Sequence, residues 1–91
     1  MIKNTELNTI SIIASKYKIK EILLFGSSLE NDTYNDIDLG ILGIDPVLFF
    51  KFYGDLIKNL NIPLDIVDLS DKSSFTEMIK KYGKIIYANT E

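Results

Sequence analysis

Apolar residues recur at Leu7, Ile10, Ile13, Ala14 and Tyr17, a spacing of threes and fours that predicts a helix capped by Asn4 or Thr5 and ending near Lys18. Glu21 to Phe25 then reads ILLF behind one charge and stops at Gly26, which suits a short buried strand leaving through the turn Gly26-Ser27-Ser28. Residues 30 to 35 are polar and turn-like. From Asp36 to Leu42 the pattern alternates, with Asp36, Asp38 and Gly40 on one side and Ile37, Leu39 and Ile41 on the other. This is the pattern of a strand that carries carboxylates on a single face.

Asp45-Pro46 places an N-cap before a first-turn proline, and Phe49, Tyr53, Leu56, Ile57 and Leu60 mark the apolar face of a second helix. Asn61 to Pro63 ends it. A third strand, Leu64 to Leu69, puts Asp65 and Val67 on one face and Ile66 and Asp68 on the other. Ser74 with Glu77 reads as a capping box opening a last helix, with Phe75, Met78, Ile79 and Tyr82 inward and Gly83 as terminator. The tail KIIYANTE either forms a short extension or packs on the sheet. No internal repeat or low-complexity stretch interrupts the chain. The expected architecture is α/β (α+β), one domain over residues 1–91 built on a small mixed three-stranded sheet flanked by helices.

Composition narrows the chemistry. A chain of 91 residues holds one small core. With no cysteine it has no disulfide framework, thiolate nucleophile or zinc–sulfur site, and a reducing cytoplasm is the expected compartment. With no histidine it has no imidazole base, so acid–base and metal chemistry fall to carboxylates. All 10 basic residues are lysine, which removes bidentate arginine clamps on phosphate or guanine. A net charge of −3 argues against nucleic acid as a direct partner. The start MIKNTELNTISII lacks a signal-peptide core, and no apolar run approaches the roughly 18 residues of a membrane span, so no membrane association is expected.

Two features carry the chemistry: Gly26-Ser27 at a strand end, and Asp36-Ile37-Asp38 opening the next strand. The i, i+2 spacing points both carboxylates to one face with Cβ atoms about 6–7 Å apart. Two anions this close repel unless a cation lies between them, and no lysine occurs from Glu30 to Asp45. A hard ion such as Mg²⁺ takes oxygen ligands of this kind together with substrate phosphates. Asp65 supplies a third carboxylate if its strand lies beside the second, and three carboxylates suit a pair of Mg²⁺ ions. Gly26 permits a sharp turn, while the Ser27 hydroxyl and the following backbone N–H groups, that of Ser28 included, are suited to cradle a phosphate. Taken singly, Gly26-Ser27 is an ordinary turn, the D-x-D pair a cap or solvated face, and Asp65 a solvated edge residue; their joint occurrence is what points to a site. Asp68 has the opposite parity and is left out. Phe49, Phe50, Phe52 and Tyr53 read as helix and core surface rather than a base-stacking platform.

These residues carry a resemblance. LLFGSSLENDTYNDIDLGIL is similar to the signature of the nucleotidyltransferase superfamily (the DNA polymerase beta-like group), specifically the minimal nucleotidyltransferases. LDIVDL resembles the segment holding that family's third carboxylate, and IKKYGKIIYA its common C-terminal end. The resemblance implies that Asp36 and Asp38 ligate Mg²⁺, that Asp65 binds metal and helps activate the acceptor, and that Gly26 and Ser27 bind the triphosphate. It further implies transfer of a nucleoside monophosphate, AMP from ATP, to a hydroxyl with release of pyrophosphate. Many relatives act as antitoxins beside a helical HEPN-domain toxin that they modify on tyrosine, so such a toxin is the expected partner, in a homo- or hetero-oligomer. The alternative is an antitoxin-like module, catalytically weak or inactive, that neutralises its partner by binding. Retention of all three aspartates favours the enzyme. The module is favoured by two departures: Ser28, Leu29 and Glu30 stand where relatives usually have a small residue and an arginine, and only eight residues separate Ser27 from Asp36. Glu30 and Asp32 also make this loop acidic. Transfer to a small hydroxylated molecule is a third reading, and ordinarily needs an added acceptor domain.

Overall fold

A computed structural model describes residues 2–30 and 34–89. Asp32 of the acidic loop lies outside them, as do the last two residues of KIIYANTE. The chain runs α1 (Asn4–Lys16), β1 (Glu21–Phe25), α2 (Ser27–Glu30), β2 (Ile37–Leu42), a 3₁₀ turn (Pro46–Leu48), α3 (Phe49–Asn59), β3 (Leu64–Asp68), α4 (Ser74–Tyr82) and β4 (Lys84–Ala88).

The sheet has four strands in the order β3-β2-β1-β4, one more than the sequence pattern predicts. β1 pairs antiparallel with both β2 and β4, and β2 pairs parallel with β3, so the sheet is mixed as expected. The added strand is the KIIYA stretch. It lies at an edge, leaves Lys84 and Ile85 exposed, and its register with β1 shifts between Ile22 and Leu23. A bulged, half-solvated edge strand lacks the clean alternation by which buried strands are recognised.

The two faces of the sheet are covered unequally. Ile22 and Leu24 of β1 with Ile37, Leu39 and Ile41 of β2 face one way and meet α1 and α3 through Ile10, Ile13, Phe52 and Leu56, all buried. The opposite face carries a smaller cluster, Leu23, Leu69 and Ile79, which seats α4. Gly40 makes that seat possible, because a Cβ there would lie 2.8 Å from Leu69 Cδ1 and 3.1 Å from Ile79 Cγ2. α4 therefore covers one end of this face, and the carboxylate end stays open.

Helix boundaries and inward faces differ from expectation in four places. α1 begins one or two residues early: the Lys3 N–H donates to Glu6 Oε1 at 3.2 Å, and Asn4 and Thr5 are already helical. In α3 Phe52 is fully buried beside the expected Leu56, while Ile57 is 55% exposed, because the helix is rotated to stack Phe52 edge-on against Tyr17 of α1. In α4 the cap is Ser73, whose hydroxyl accepts from the Thr76 N–H at 3.1 Å, and Asp71 accepts hydrogen bonds from the Ser73 N–H and the Thr76 hydroxyl. Its buried positions are Thr76 and Ile79, which leaves Phe75, Met78 and Tyr82 substantially exposed. The short helix α2 replaces a simple turn after Gly26. Asp45 does cap as expected, accepting from the Val47 N–H at 3.0 Å. No helix among the described residues is long and apolar enough to cross a membrane.

Removal of the Phe52 ring leaves a cavity between α1, α3 and the sheet. Phe52→Ala is expected to cost about 3–5 kcal/mol of unfolding free energy in urea titrations, and Phe50→Ala, at a position 79% exposed, about 0.5 kcal/mol or less. Equal costs would contradict this packing.

Candidate active site

Parallel pairing of β2 with β3 sets Asp38 directly opposite Asp65, as it sets Ile37 opposite Leu64. Residues opposite each other in a sheet project to the same face, and Asp36, two positions before Asp38, joins that side where the strand begins. One carboxylate oxygen from each of Asp36, Asp38 and Asp65 lies within 4.8 Å of the others. Asp36 and Asp38 are half-buried and Asp65 is exposed, so the group opens to solvent on the β3 side. Asp68 is absent from this group, and its carboxylate accepts from the Ser70 N–H at 2.9 Å in the turn after β3.

The end of β1 shapes the other side. Phe25 pairs with Asp38, so Gly26 follows just beyond the carboxylate strand. Its φ of +71° is a left-handed conformation that favours glycine, and a Cβ there would lie 2.4 Å from Asp38 Oδ2. Asp38 thus occupies the space a side chain at position 26 would need. Gly26 and Ser27 are exposed where the chain turns into α2. Ser28 is fully buried, and its hydroxyl donates to the Phe25 carbonyl at 3.2 Å and accepts from the Asp38 N–H at 3.3 Å. Sequence reasoning grouped Ser28 with the phosphate-cradling residues and missed this brace between the end of β1 and Asp38. The contact spans ten positions across a turn, and a Gly-Ser-Ser string carries no signal of which serine turns inward.

The electrostatics follow from this packing. Burial pushes the Asp38 carboxyl above the ordinary carboxylate range, and the charges of Asp36 and then Asp65 push it further the same way. A cation relieves all three causes, since it replaces lost hydration and offsets both like charges. Three carboxylates with an open side also make a hard-oxygen ligand set suited to Mg²⁺ and to phosphate oxygens completing its shell. The donor chemistry therefore fits a divalent ion.

The family model described as polymerase beta, nucleotidyltransferase matches residues 8–91. The chain belongs to this nucleotidyltransferase family. No curated protein matches it. Among solved structures, the nucleotidyltransferase domain is similar to a toxin-antitoxin crystal structure with AMP-PNP at 26% identity and a TM-score of 0.72, covering 92% of this chain and 74% of that one. The MntA-HepT toxin-antitoxin structure aligns at 22% identity with a TM-score of 0.71, over 96% of this chain and 74% of that one. A mutant of that pair with two aspartate-to-glutamate substitutions two residues apart aligns at 22% identity and TM-score 0.73, over 92% and 74%. These likenesses agree with the α/β sheet-and-helix fold described above.

Asp38 sets a pH dependence whose sign is fixed. With its folded pKa above the unfolded value, the folded state binds the extra proton between the two, so stability contributed at low pH is lost as pH rises through the folded pKa. Asp38→Asn carries no charge at any pH. In chelator-treated protein the variant is expected to melt above the unsubstituted chain at pH 7, and that advantage is expected to vanish below the ordinary carboxylate range. A variant that melts lower at pH 7 without metal would contradict the crowded-anion reading.

Proposed function

We propose that the chain is a Mg²⁺-dependent nucleotidyltransferase that moves AMP from ATP to a hydroxyl, that of a tyrosine on a helical HEPN-type toxin. The convergence of Asp36, Asp38 and Asp65 within 4.8 Å is the observation that carries this reading, because the mutual repulsion of three gathered carboxylates is relieved by a bound cation. In this reading Asp36, Asp38 and Asp65 hold Mg²⁺, two ions in the fully loaded site. The bound metal supplies charge neutralisation at the phosphates and polarises the reacting oxygens. The exposed turn at Gly26 and Ser27 holds the triphosphate, and Ser28 acts through its grip on Asp38. Asp65, the exposed member of the trio, meets the incoming hydroxyl and helps take its proton. The acceptor oxygen forms a bond to the α-phosphorus as the bond from that phosphorus to the bridging oxygen breaks, and pyrophosphate leaves. Further support comes from the neighbours: one is a toxin-antitoxin pair with AMP-PNP, and another alters two aspartates at the same i, i+2 spacing.

A second reading is favoured by one feature, the absence of arginine together with Glu30 beside the phosphate turn. The chain then neutralises its partner by contact, with the carboxylates retained but idle. Incubation with labelled ATP, Mg²⁺ and a co-purified partner separates the two. Transfer of label to the partner, falling at least about 100-fold in Asp38→Asn while the complex survives, is the expected result, since the positioned charge at the phosphates typically supplies several kcal/mol of the rate. Full protection of cells by Asp38→Asn would favour the contact module.

A further inference from the structure

The nucleotidyl-transfer reading leaves the base of the nucleotide without a place, and it also leaves three large apolar side chains of α4 out of the core. Phe75 and Met78 are each 48% exposed and Tyr82 is 69% exposed. They fall at i, i+3 and i+7, one flank of the helix. Between that flank and α2 lies a mainly apolar cavity of about 430 Å³, floored by Phe25 and walled at one point by Gly26. That volume lies within the range of small-molecule sites. The rings of Phe25 and Phe75 meet edge to face at 6.0 Å, which gives the cavity an aromatic corner.

We infer that this cavity receives the nucleobase of the nucleotide whose phosphates lie at Gly26 and Ser27, an assignment that rests on the nucleotide reading above. Gly26 is the connecting element. It lines the cavity and also abuts the Asp38 carboxylate, with only 2.4 Å between its would-be Cβ and Asp38 Oδ2. A ligand joining the two regions must have a charged end suited to metal and a turn of backbone, and a flat apolar end suited to aromatic rings and a thioether. A nucleoside triphosphate has both ends on one ribose. An aromatic acceptor side chain fits this cavity less well, because Asp65 lies on β3, on the far side of β2 from the cavity floor in β1. The acceptor and the base thus approach from opposite edges of the site. The lining is mainly apolar carbon and sulfur, so it binds rings by stacking and packing.

Two measurements test the assignment. In titration calorimetry with Mg²⁺ present, ATP is expected to bind at least about tenfold more tightly than tripolyphosphate, the gain typical of stacking one base. Phe75→Ala and Tyr82→Ala are expected to remove that difference and leave tripolyphosphate binding unchanged. Equal affinity for the two probes in the unsubstituted chain, or a preference for ATP that survives both substitutions, overturns the assignment. Should a variant fail to fold, the Met78 methyl resonance in the unsubstituted protein gives an independent reading. It is expected to shift with MgATP and stay in place with magnesium tripolyphosphate, and a Met78 methyl that ignores MgATP overturns the assignment. Binding of neither probe overturns the nucleotide reading itself, and the base assignment with it, whereas binding of both with no difference overturns only the base assignment.

Discussion

Parallel pairing of β2 with β3 is the constraint on which the candidate site depends. Because side chains alternate along a strand, the register that puts Asp38 opposite Asp65 also buries Ile37, Leu39 and Leu64 on the other face in the core shared with α1 and α3, with Ile66 partly buried beside them. A slip of one residue would send Asp65 toward that apolar core and bring Ile66 beside Asp38. The hydrophobic effect that holds the core in register therefore also holds three like charges together. Folding contributes the energy that concentrates these anions, and a cation at the open side gains from it.

The remaining features of the site accommodate this crowding. Gly26 yields its side-chain space to the Asp38 carboxylate, and the buried Ser28 hydroxyl ties the end of β1 to the Asp38 backbone. Gly40, on the same face as Asp38, admits Leu69 and Ile79 and so lets α4 lie on the sheet without reaching the carboxylates. Small residues thus do opposite things along β2: at one end a neighbouring glycine makes room for a charged group, and further along a glycine makes room for a helix. Both choices keep the carboxylate end of this face open for ligands.

The sequence pattern carried the central elements because each was governed by alternation on a buried strand. The DIDLGIL and LDIVD stretches show the faces of β2 and β3 directly, and the parity that joined Asp65 to the pair also excluded Asp68, which turns away to cap a loop. What was illegible depended on contacts distant in sequence. β4 is a bulged edge strand whose residues are part-exposed, so its identity comes from pairing with β1 rather than from its own pattern. The choice of Phe52 as the buried aromatic of α3 depends on where Tyr17 lies, and among four neighbouring aromatics no local signal selects it. Phe75, Met78 and Tyr82 look like core residues by helical spacing, yet α4 rests on a cluster too small to cover them. The inward turn of Ser28 is likewise a tertiary fact.

The carboxylates and the phosphate turn form one site in this mechanism, which metal and nucleotide complete together. Thermal unfolding of the chain with Mg²⁺, with ATP and with both tests this most directly. The combined ligands are expected to stabilise the fold by more than the sum of their separate effects, with a total of about 2.7 kcal/mol where the free complex stands at a hundredfold excess over its dissociation constant. A combined shift no larger than that sum at millimolar nucleotide would contradict the account.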